Sequence, residues 1–337
     1  MNALRSARTN AASVPRIGFI GLGWIGRKRL DVIAERADID VSALCDVDHA
    51  RLASAHAEHP RATACDRLET LLQQDLDGVV IATPNASHVE QALACLARNA
   101  AVFCQKPLAL DARDAEHVIE AAATANRLLA VDYSYRYVRG MDELRKRISS
   151  GELGEIRAID LEFHNAYAPN QAWCLHRACA GGGCLLDLGI HLIDLARWLQ
   201  GWPDMRVVNR HLYARGRAAG RQDLEDLAFV ELEQNNGAIV RLVCSWHAQI
   251  GDEARIGMTV HGTCGGAVWR NIGGTFLDFE LWLCRSNRRE LIGCSLDDWG
   301  CGALGTWVDL LRTDGTFDVN VRETLANMRV IDEVYAV

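Results

Sequence analysis

No uninterrupted apolar run in this 337-residue sequence approaches the roughly 18 residues that a bilayer-spanning helix requires, and the stretch before Val14 lacks the apolar block of a secretory signal. A membrane protein is not expected, and residues 1–15 read as a flexible tail. Basic residues do not prevail either. Against 36 Lys and Arg stand 44 Asp and Glu, a formal charge of -8, which speaks against a general nucleic-acid binder. The clusters Arg27-Lys28-Arg29 and Arg145-Lys146-Arg147 are short and read as solvated helix faces. Twelve cysteines include no Cys-x-x-Cys pair, and the five-residue recurrence of Cys174, Cys179 and Cys184 suits no tetrahedral metal site. No metal is expected; the cysteines read as reduced core residues of a cytoplasmic protein. Internal repeats and low-complexity linkers are missing as well.

What is present is ordinary globular composition, 49% hydrophobic and 24% charged, in a chain long enough for two domains. Apolar strands alternate with helices through the first third. Strand Arg16 to Ile20, helix Arg27 to Arg36, strand Val41 to Cys45 and helix Asp48 to His56 open the series. Strand Gly78 to Ala82, helix Val89 to Arg98, strand Ala101 to Cys104, helix Ala112 to Ala125 and strand Leu128 to Asp132 continue it. Such alternation means a doubly wound parallel sheet covered on both faces.

The grammar changes near residue 134. A basic helix, Met141 to Ser149, precedes strand Ile156 to Phe163, an irregular stretch to Ala180 and a helix from Leu185 to Leu199. Strand-like segments without crossover helices follow at Ala228 to Leu232, Ala238 to Ser245, Met258 to His261 and Phe276 to Cys284. These predict a second α/β domain, residues 135–337, with a large, mostly antiparallel sheet, closed by helices Leu304 to Leu311 and Val321 to Tyr335.

The loop Gly21-Leu22-Gly23-Trp24-Ile25-Gly26 follows a strand and opens a helix. Its glycines would let the backbone approach a pyrophosphate, which the helix N-terminus would attract. Asp46, twenty residues beyond Gly26, stands at the end of the next strand, where an acid bonds the adenosine ribose. A carboxylate there repels a 2′-phosphate, so NAD is expected over NADP. Thr83-Pro84-Asn85 and His88 follow the strand Gly78 to Ala82, and Gln105-Lys106-Pro107 follows the next. Both lie at carboxyl ends, where ligands bind in open α/β sheets. A helix cap and a surface charge are the plainer readings of these two stretches. In the segment Gly181 to Asp194, Asp187 and His191 fall one turn apart on one helix face, a pair that is more often structural than catalytic.

Taken in order, the glycine loop, Asp46, Thr83-Pro84-Asn85 with His88, Lys106-Pro107, Gly151-Glu152-Leu153-Gly154, the Gly181 to Asp194 string and Gly262-Thr263-x-Gly265 resemble the glucose-fructose oxidoreductase and inositol dehydrogenase (Gfo/Idh/MocA) family over residues 16–335. The resemblance implies a dinucleotide-binding Rossmann domain, residues 16–134. It implies a second domain whose open sheet packs against partner subunits, in a homodimer or homotetramer. It also implies hydride transfer between nicotinamide and a hydroxyl-bearing carbon of a sugar, cyclitol or related polyol. The family's lysine falls on Lys106, and its aspartate and histidine fall on Asp187 and His191, which turns that pair from structural to catalytic. The family's usual glutamate before the lysine is Gln105 here. Tyr133-Ser134-Tyr135-Arg136-Tyr137 only loosely matches the family's arginine-rich turn, which makes Arg136 a substrate contact.

In this reading His191 is the general base, Lys106 stabilises charge on the substrate oxygen, and Asp187 orients a hydroxyl or the imidazole. Gly21, Gly23, Trp24, Ile25, Gly26, Asp46, Thr83, Pro84, Asn85, His88, Gln105 and Lys106 would hold the cofactor. Residues 164–177, with His164 and Trp173, would face the polyol. Two alternatives remain open at this point: a non-catalytic nucleotide-binding sensor of the same fold, and a reductase of an imine or unsaturated ring.

Overall fold

The computed structural model describes residues 14–296 and 301–336, so the expected tail lies outside it except for Val14 and Pro15. The first sheet is built from β1 (Arg16–Ile20), β2 (Asp40–Cys45), β3 (Thr63–Cys65), β4 (Gly78–Ile81), β5 (Ala101–Cys104) and β6 (Leu129–Val131). All its pairings are parallel, in the order β3-β2-β1-β4-β5-β6. Strand order reverses between β1 and β4, the crevice in which this architecture receives dinucleotides. Strands β4 and β5 are buried at every position because helices cover both faces. Those helices are α1 (Trp24–Ala34), α2 (His49–Glu58), a single turn α3 (Leu68–Leu71), α4 (His88–Ala97) and α5 (Ala112–Ala125). The sequence reading passes over β3 and α3, which are too short to show a period, and begins α1 three residues late.

Helix α6 (Met141–Ser149) leads into the second sheet. Its strands are β7 (Ile156–Asn165), β8 (Met205–Ala214), β9 (Arg217–Ala218), β10 (Leu227–Gln234), β11 (Ile239–Ser245), β12 (Ala254–Gly262), β13 (Gly266–Asn271), β14 (Phe279–Arg285) and β15 (Arg288–Ser295). All pairings are antiparallel except β7 with β11, and the order is β15-β14-β13-β12-β7-β11-β10-β8-β9. Along β7, Ile159, Leu161 and Phe163 alternate inward onto α8 (Ile190–Leu199), while the opposite face of the sheet is open. Helix α8 is buried at all of its positions, the signature of a core helix. The helical run Arg177–Leu199, which includes the single turn α7 (Arg177–Ala180), is long and apolar enough to cross a membrane, yet 78% of its apolar window is buried inside the protein.

Helix α9 (Cys301–Thr313) belongs by sequence to the second domain, yet Ala303, Leu304, Trp307 and Val308 share a core with Ile17, Phe19, Ile33 and Phe103 of the first. The Trp307 indole lies 5.9 Å from the Phe103 ring, and a β-carbon on Gly78 would come within 2.5 Å of it. The chain thus recrosses the boundary placed near residue 134, before α10 (Glu323–Tyr335) packs on α5, α8 and β8.

Candidate active site

A cleft of about 1180 Å³ runs from the glycine loop to Trp173 and Phe276, so the ends of the first sheet and the inner face of the second share one cavity. Helix α1 opens directly behind Gly23 with no side chain capping its N-terminus, which leaves its first N–H groups to a ligand. Gly21 has φ +88°, and a β-carbon there would lie 2.4 Å from the Ala82 carbonyl oxygen. On Gly26 it would lie 2.0 Å from the Gly21 carbonyl oxygen, so only glycine lets this helix approach the strand. Above Gly23 the space is open except for Arg51, at 3.8 Å from such an atom. A tight turn, an open platform and a bare helix end fit a pyrophosphate. Asp46 caps the same loop, its carboxylate accepting the Leu22 N–H at 2.6 Å and the Asp48 N–H at 2.8 Å. Trp24 and Ile25 line the mouth, and Arg51 and Arg67 stand near the Asp46 end.

At the other end, the Lys106 ammonium donates to Asp187 twice, at 2.7 Å to Oδ1 and at 2.7 Å to the main-chain carbonyl. The Trp246 indole N–H donates to the second carboxylate oxygen at 3.2 Å. Asp187 sits on one π-helical turn, Leu185–Gly189, rather than on the regular helix that the spacing implied. It is therefore tied to Lys106 and Trp246, and the expected Asp187–His191 pair is not among the hydrogen bonds. His191 instead stands edge-on to Tyr135 at 5.0 Å and tilted to Phe163 at 6.5 Å, with Nδ1 buried and unpartnered. Burial, with the Lys106 and Arg29 charges behind it, holds its imidazole well below the usual value. Neutral His191 can accept a proton, and Lys106 keeps a third N–H for an oxygen.

The π-turn is pinned from outside. Glu225, just before β10, accepts the Gly183 N–H at 3.1 Å, the Leu185 N–H at 2.9 Å and the Tyr335 hydroxyl of α10 at 2.7 Å. A β-carbon on Gly183 would fall 2.0 Å from the Glu225 carbonyl oxygen, which explains a glycine there.

Several expected contacts are placed otherwise. His88 is fully buried in the wall of the cleft, with its ring nitrogens 2.7 Å from the Pro107 carbonyl and 2.9 Å from that of Thr83, and as a neutral imidazole it donates to one of these two oxygens. Thr83 and Pro84 line the cleft, the Thr83 hydroxyl donating to Gln91 at 2.6 Å. Asn85 lines it too but donates to the Ala180 carbonyl at 2.9 Å, bridging the two halves. Arg136 is turned away: it pairs with buried Asp194 and lies over the rings of Tyr133 and Trp202. An apolar pocket with a carboxylate at its base draws it inward, so it is not a substrate contact. His164 projects to the far face of the sheet and meets the Ser245 hydroxyl at 2.7 Å, because strand alternation sends Phe163 and Asn165 to the cleft instead. Trp173 does line the cleft.

One group the sequence reading missed is a buried polar cluster. Asp132, just after β6, accepts Arg29 Nε and Gln105 Nε2 on Oδ2, both at 2.5 Å, and the Ser134 hydroxyl on Oδ1 at 2.7 Å. Arg29 Nη2 also donates to Ser134 at 2.9 Å. The carboxyl-end rule that singled out the residues after β4 and β5 would have found Asp132 had it been carried to β6.

Among the described residues no group of His, Cys, Asp and Glu could hold a metal. Of the eleven cysteines whose burial is described, seven are buried as expected, whereas Cys179, Cys284 and Cys294 are half-buried and Cys264 is exposed, so not all are core residues.

A model of the oxidoreductase family with an NAD-binding Rossmann fold matches residues 15–133, and one of the GFO/IDH/MocA C-terminal domain matches residues 141–268. The chain is 28% identical to D-glucoside 3-dehydrogenase of Escherichia coli over 281 residues, 78% of this chain and 79% of that protein. It is 34% identical to a putative UDP-kanosamine synthase oxidoreductase subunit of Amycolatopsis mediterranei over 249 residues, 68% of each. The crystal structure of KijD10, a 3-ketoreductase from Actinomadura kijaniata in complex with NADP and TDP-benzene, superposes with a TM-score of 0.82 at 19% identity, covering 96% of this chain and 97% of that one.

Proposed function

From the premise that the chain belongs to the GFO/IDH/MocA oxidoreductase family, we propose that it interconverts a carbinol and a ketone on a sugar, cyclitol or related polyol. The observation that carries this reading is the convergence of Lys106, Asp187 and His191 at the end of the cleft whose other end is the glycine cradle. Gly21, Gly23, the α1 N-terminus and Asp46 would hold the dinucleotide, which when bound supplies the hydride acceptor or donor. The chain's own residues manage the proton. His191, neutral and walled by aromatic rings, takes it from the hydroxyl; Lys106, steadied by Asp187, directs its remaining N–H at the oxygen as charge grows there. Trp173 and Phe276 offer faces for the C–H side of a ring, and Asn165 and Gln171 offer amides to its hydroxyls.

NAD is the proposed cofactor over NADP. Asp46 supports this, because a carboxylate at the end of β2 would repel a 2′-phosphate on the adenosine ribose. Arg51 and Arg67 beside it are the features that oppose it. A cytoplasmic location is supported by the buried free thiols. A homodimer or homotetramer through the open face of the second sheet is supported by a groove of about 410 Å³ there, lined by exposed Phe229 with Val243 and Thr259.

The test is a panel of glycosides, aldoses, inositols and aminosugars with NAD, scored by NADH formation. Turnover of at least one is expected. Tight NADH binding with no turnover of any, in either direction, would move the assignment to a nucleotide-binding sensor.

A further inference from the structure

We infer that Glu225 and Tyr335 are positioning residues for the proposed reaction: Glu225 anchors the start of the helical run 185–199, which carries Asp187 and His191, and Tyr335 holds Glu225 from the last helix of the chain. This rests on the oxidoreductase reading given above. The run begins without a cap of its own, since Cys184 at its N-terminus offers it no side-chain hydrogen bond. One distant residue takes that part. Three consecutive N–H groups, those of Gly183, Cys184 and Leu185, all end on Glu225. The first and third meet its carboxylate at 3.1 and 2.9 Å, and the second meets its main-chain carbonyl at 2.9 Å.

Glu225 is 1% exposed, and among the described residues no cation pairs with it. Its charge is met instead by amides at the positive end of a helix and by the Tyr335 hydroxyl at 2.7 Å. Burial pushes its carboxyl up, and the Tyr335 hydroxyl, followed by the Leu185 and Gly183 amides, pulls it back down. Tyr335 in turn has little freedom. A β-carbon on Gly182 would lie 2.3 Å from its hydroxyl oxygen, and the Arg177 guanidinium lies over its ring at 5.2 Å. Two residues before it, the Glu333 carbonyl accepts Arg210 of β8 at 2.8 Å.

What this anchor controls is backbone. The Asp187 N–H donates to the Gly183 carbonyl at 3.0 Å, so the residue that Glu225 holds by its N–H is one hydrogen bond from Asp187. Lys106 is bound by the main-chain carbonyl of Asp187 as well as by its carboxylate. Rotation about the side chain re-aims the carboxylate but not the carbonyl. A displaced start of the run therefore carries the Lys106 ammonium with it, away from the oxygen it serves. Neither Glu225 nor Tyr335 lines the cleft, so both act through this backbone and neither is a catalytic residue.

The test uses the full chain, with the panel sugar that wild type oxidises fastest as kinetic probe, NADH as binding probe and thermal melting as the control for folding. Tyr335→Phe removes one hydrogen bond and keeps the ring. It is expected to lower kcat about tenfold, an ångström of misplacement being worth up to roughly 10²-fold, with NADH affinity and the KM for the sugar close to wild type. Glu225→Gln keeps the shape but sets a donor against donating N–H groups, and should lower kcat at least as much. A cycle with Lys106→Met separates positioning from stability: once the ammonium is gone, Tyr335→Phe should cost little further kcat. Wild-type kcat in both single variants, or losses that simply multiply in Lys106→Met/Tyr335→Phe, would overturn the inference. NADH affinity that falls as far as kcat would overturn it too, because the whole cleft has then shifted. Should Glu225→Gln fail to melt cooperatively, Tyr335→Phe carries the test on the same outcomes. A wild type that turns over no sugar overturns this inference together with the reading beneath it, whereas wild-type turnover with indifferent Tyr335→Phe and Glu225→Gln overturns this inference alone.

Discussion

The Lys106 ammonium holds Asp187 by two atoms at once, its carboxylate and its main-chain carbonyl, each at 2.7 Å. Two of the three ammonium hydrogens are spent on one residue, so the third has a fixed direction. Lys106→Met removes it, and kcat is expected to fall roughly 10²- to 10⁴-fold, the usual worth of a positioned acid or base. His191→Ala should lose a similar factor. NADH affinity should change little in either, and the melting temperature serves as the control. Turnover within about tenfold of wild type in both would refute the assignment.

The pH profile should show where His191 titrates. Oxidation needs the neutral imidazole, and burial beside Lys106 and Arg29 keeps it neutral to well below the ordinary histidine value. As pH falls from 8 through roughly 6.5, kcat/KM for oxidation should stay level with respect to this group. Reduction needs the imidazolium, which is scarce at neutral pH, so its rate should climb as pH falls. An oxidation profile that bends near 6.5 in wild type and loses the bend in His191→Asn would contradict this.

Asp46 should govern cofactor choice. Wild type is expected to show a lower KM for NAD than for NADP. Asp46→Ser removes the carboxylate and leaves Arg51 and Arg67 in place, so the NADP-to-NAD ratio of kcat/KM should rise about tenfold or more. A ratio that does not move would show that Asp46 serves only to hold Leu22 and Asp48.

Arg136 should behave as a structural residue. It pairs with Asp194, which Asn327 also contacts at 2.7 Å, and burial pushes the Asp194 carboxyl up while Arg136 pulls it back down. Arg136→Ala leaves that carboxylate buried without its ion partner and is expected to cost about 3–5 kcal/mol of stability. Melting would register this, and KM for the polyol should stay close to wild type. A raised KM with unchanged melting would return Arg136 to the substrate.

The parts of this molecule that are legible in sequence are those governed by local rules. Continuous apolar strands announce the parallel sheet, and the Gly21 to Gly26 loop with Asp46 announces its ligand. Lys106, Asp187 and His191 can be named, but not their pairing, because a π-helical turn re-aims Asp187 in a way that 3.6-residue periodicity does not anticipate. The apolar pattern of β7 ends at Phe163 although the strand extends to Asn165, and that one difference in strand length assigns His164 to the wrong face. Arg29 and Asp132 lie 103 residues apart, and no local pattern joins a helix arginine to a strand-end aspartate.

The crossing of α9 onto the first sheet has a consequence for synthesis. The nucleotide-binding half leaves the ribosome first, yet one wall of its core, Trp307 with Leu304 and Val308, is translated only after the whole second sheet. Until then Phe103, Ile17 and Ile33 lack that cover, so the first half cannot complete itself as an independent early folding unit. A fragment ending near residue 134 should resist protease far less than the whole chain. The core behind the nucleotide site is in that sense closed only on chains that have been translated through α9.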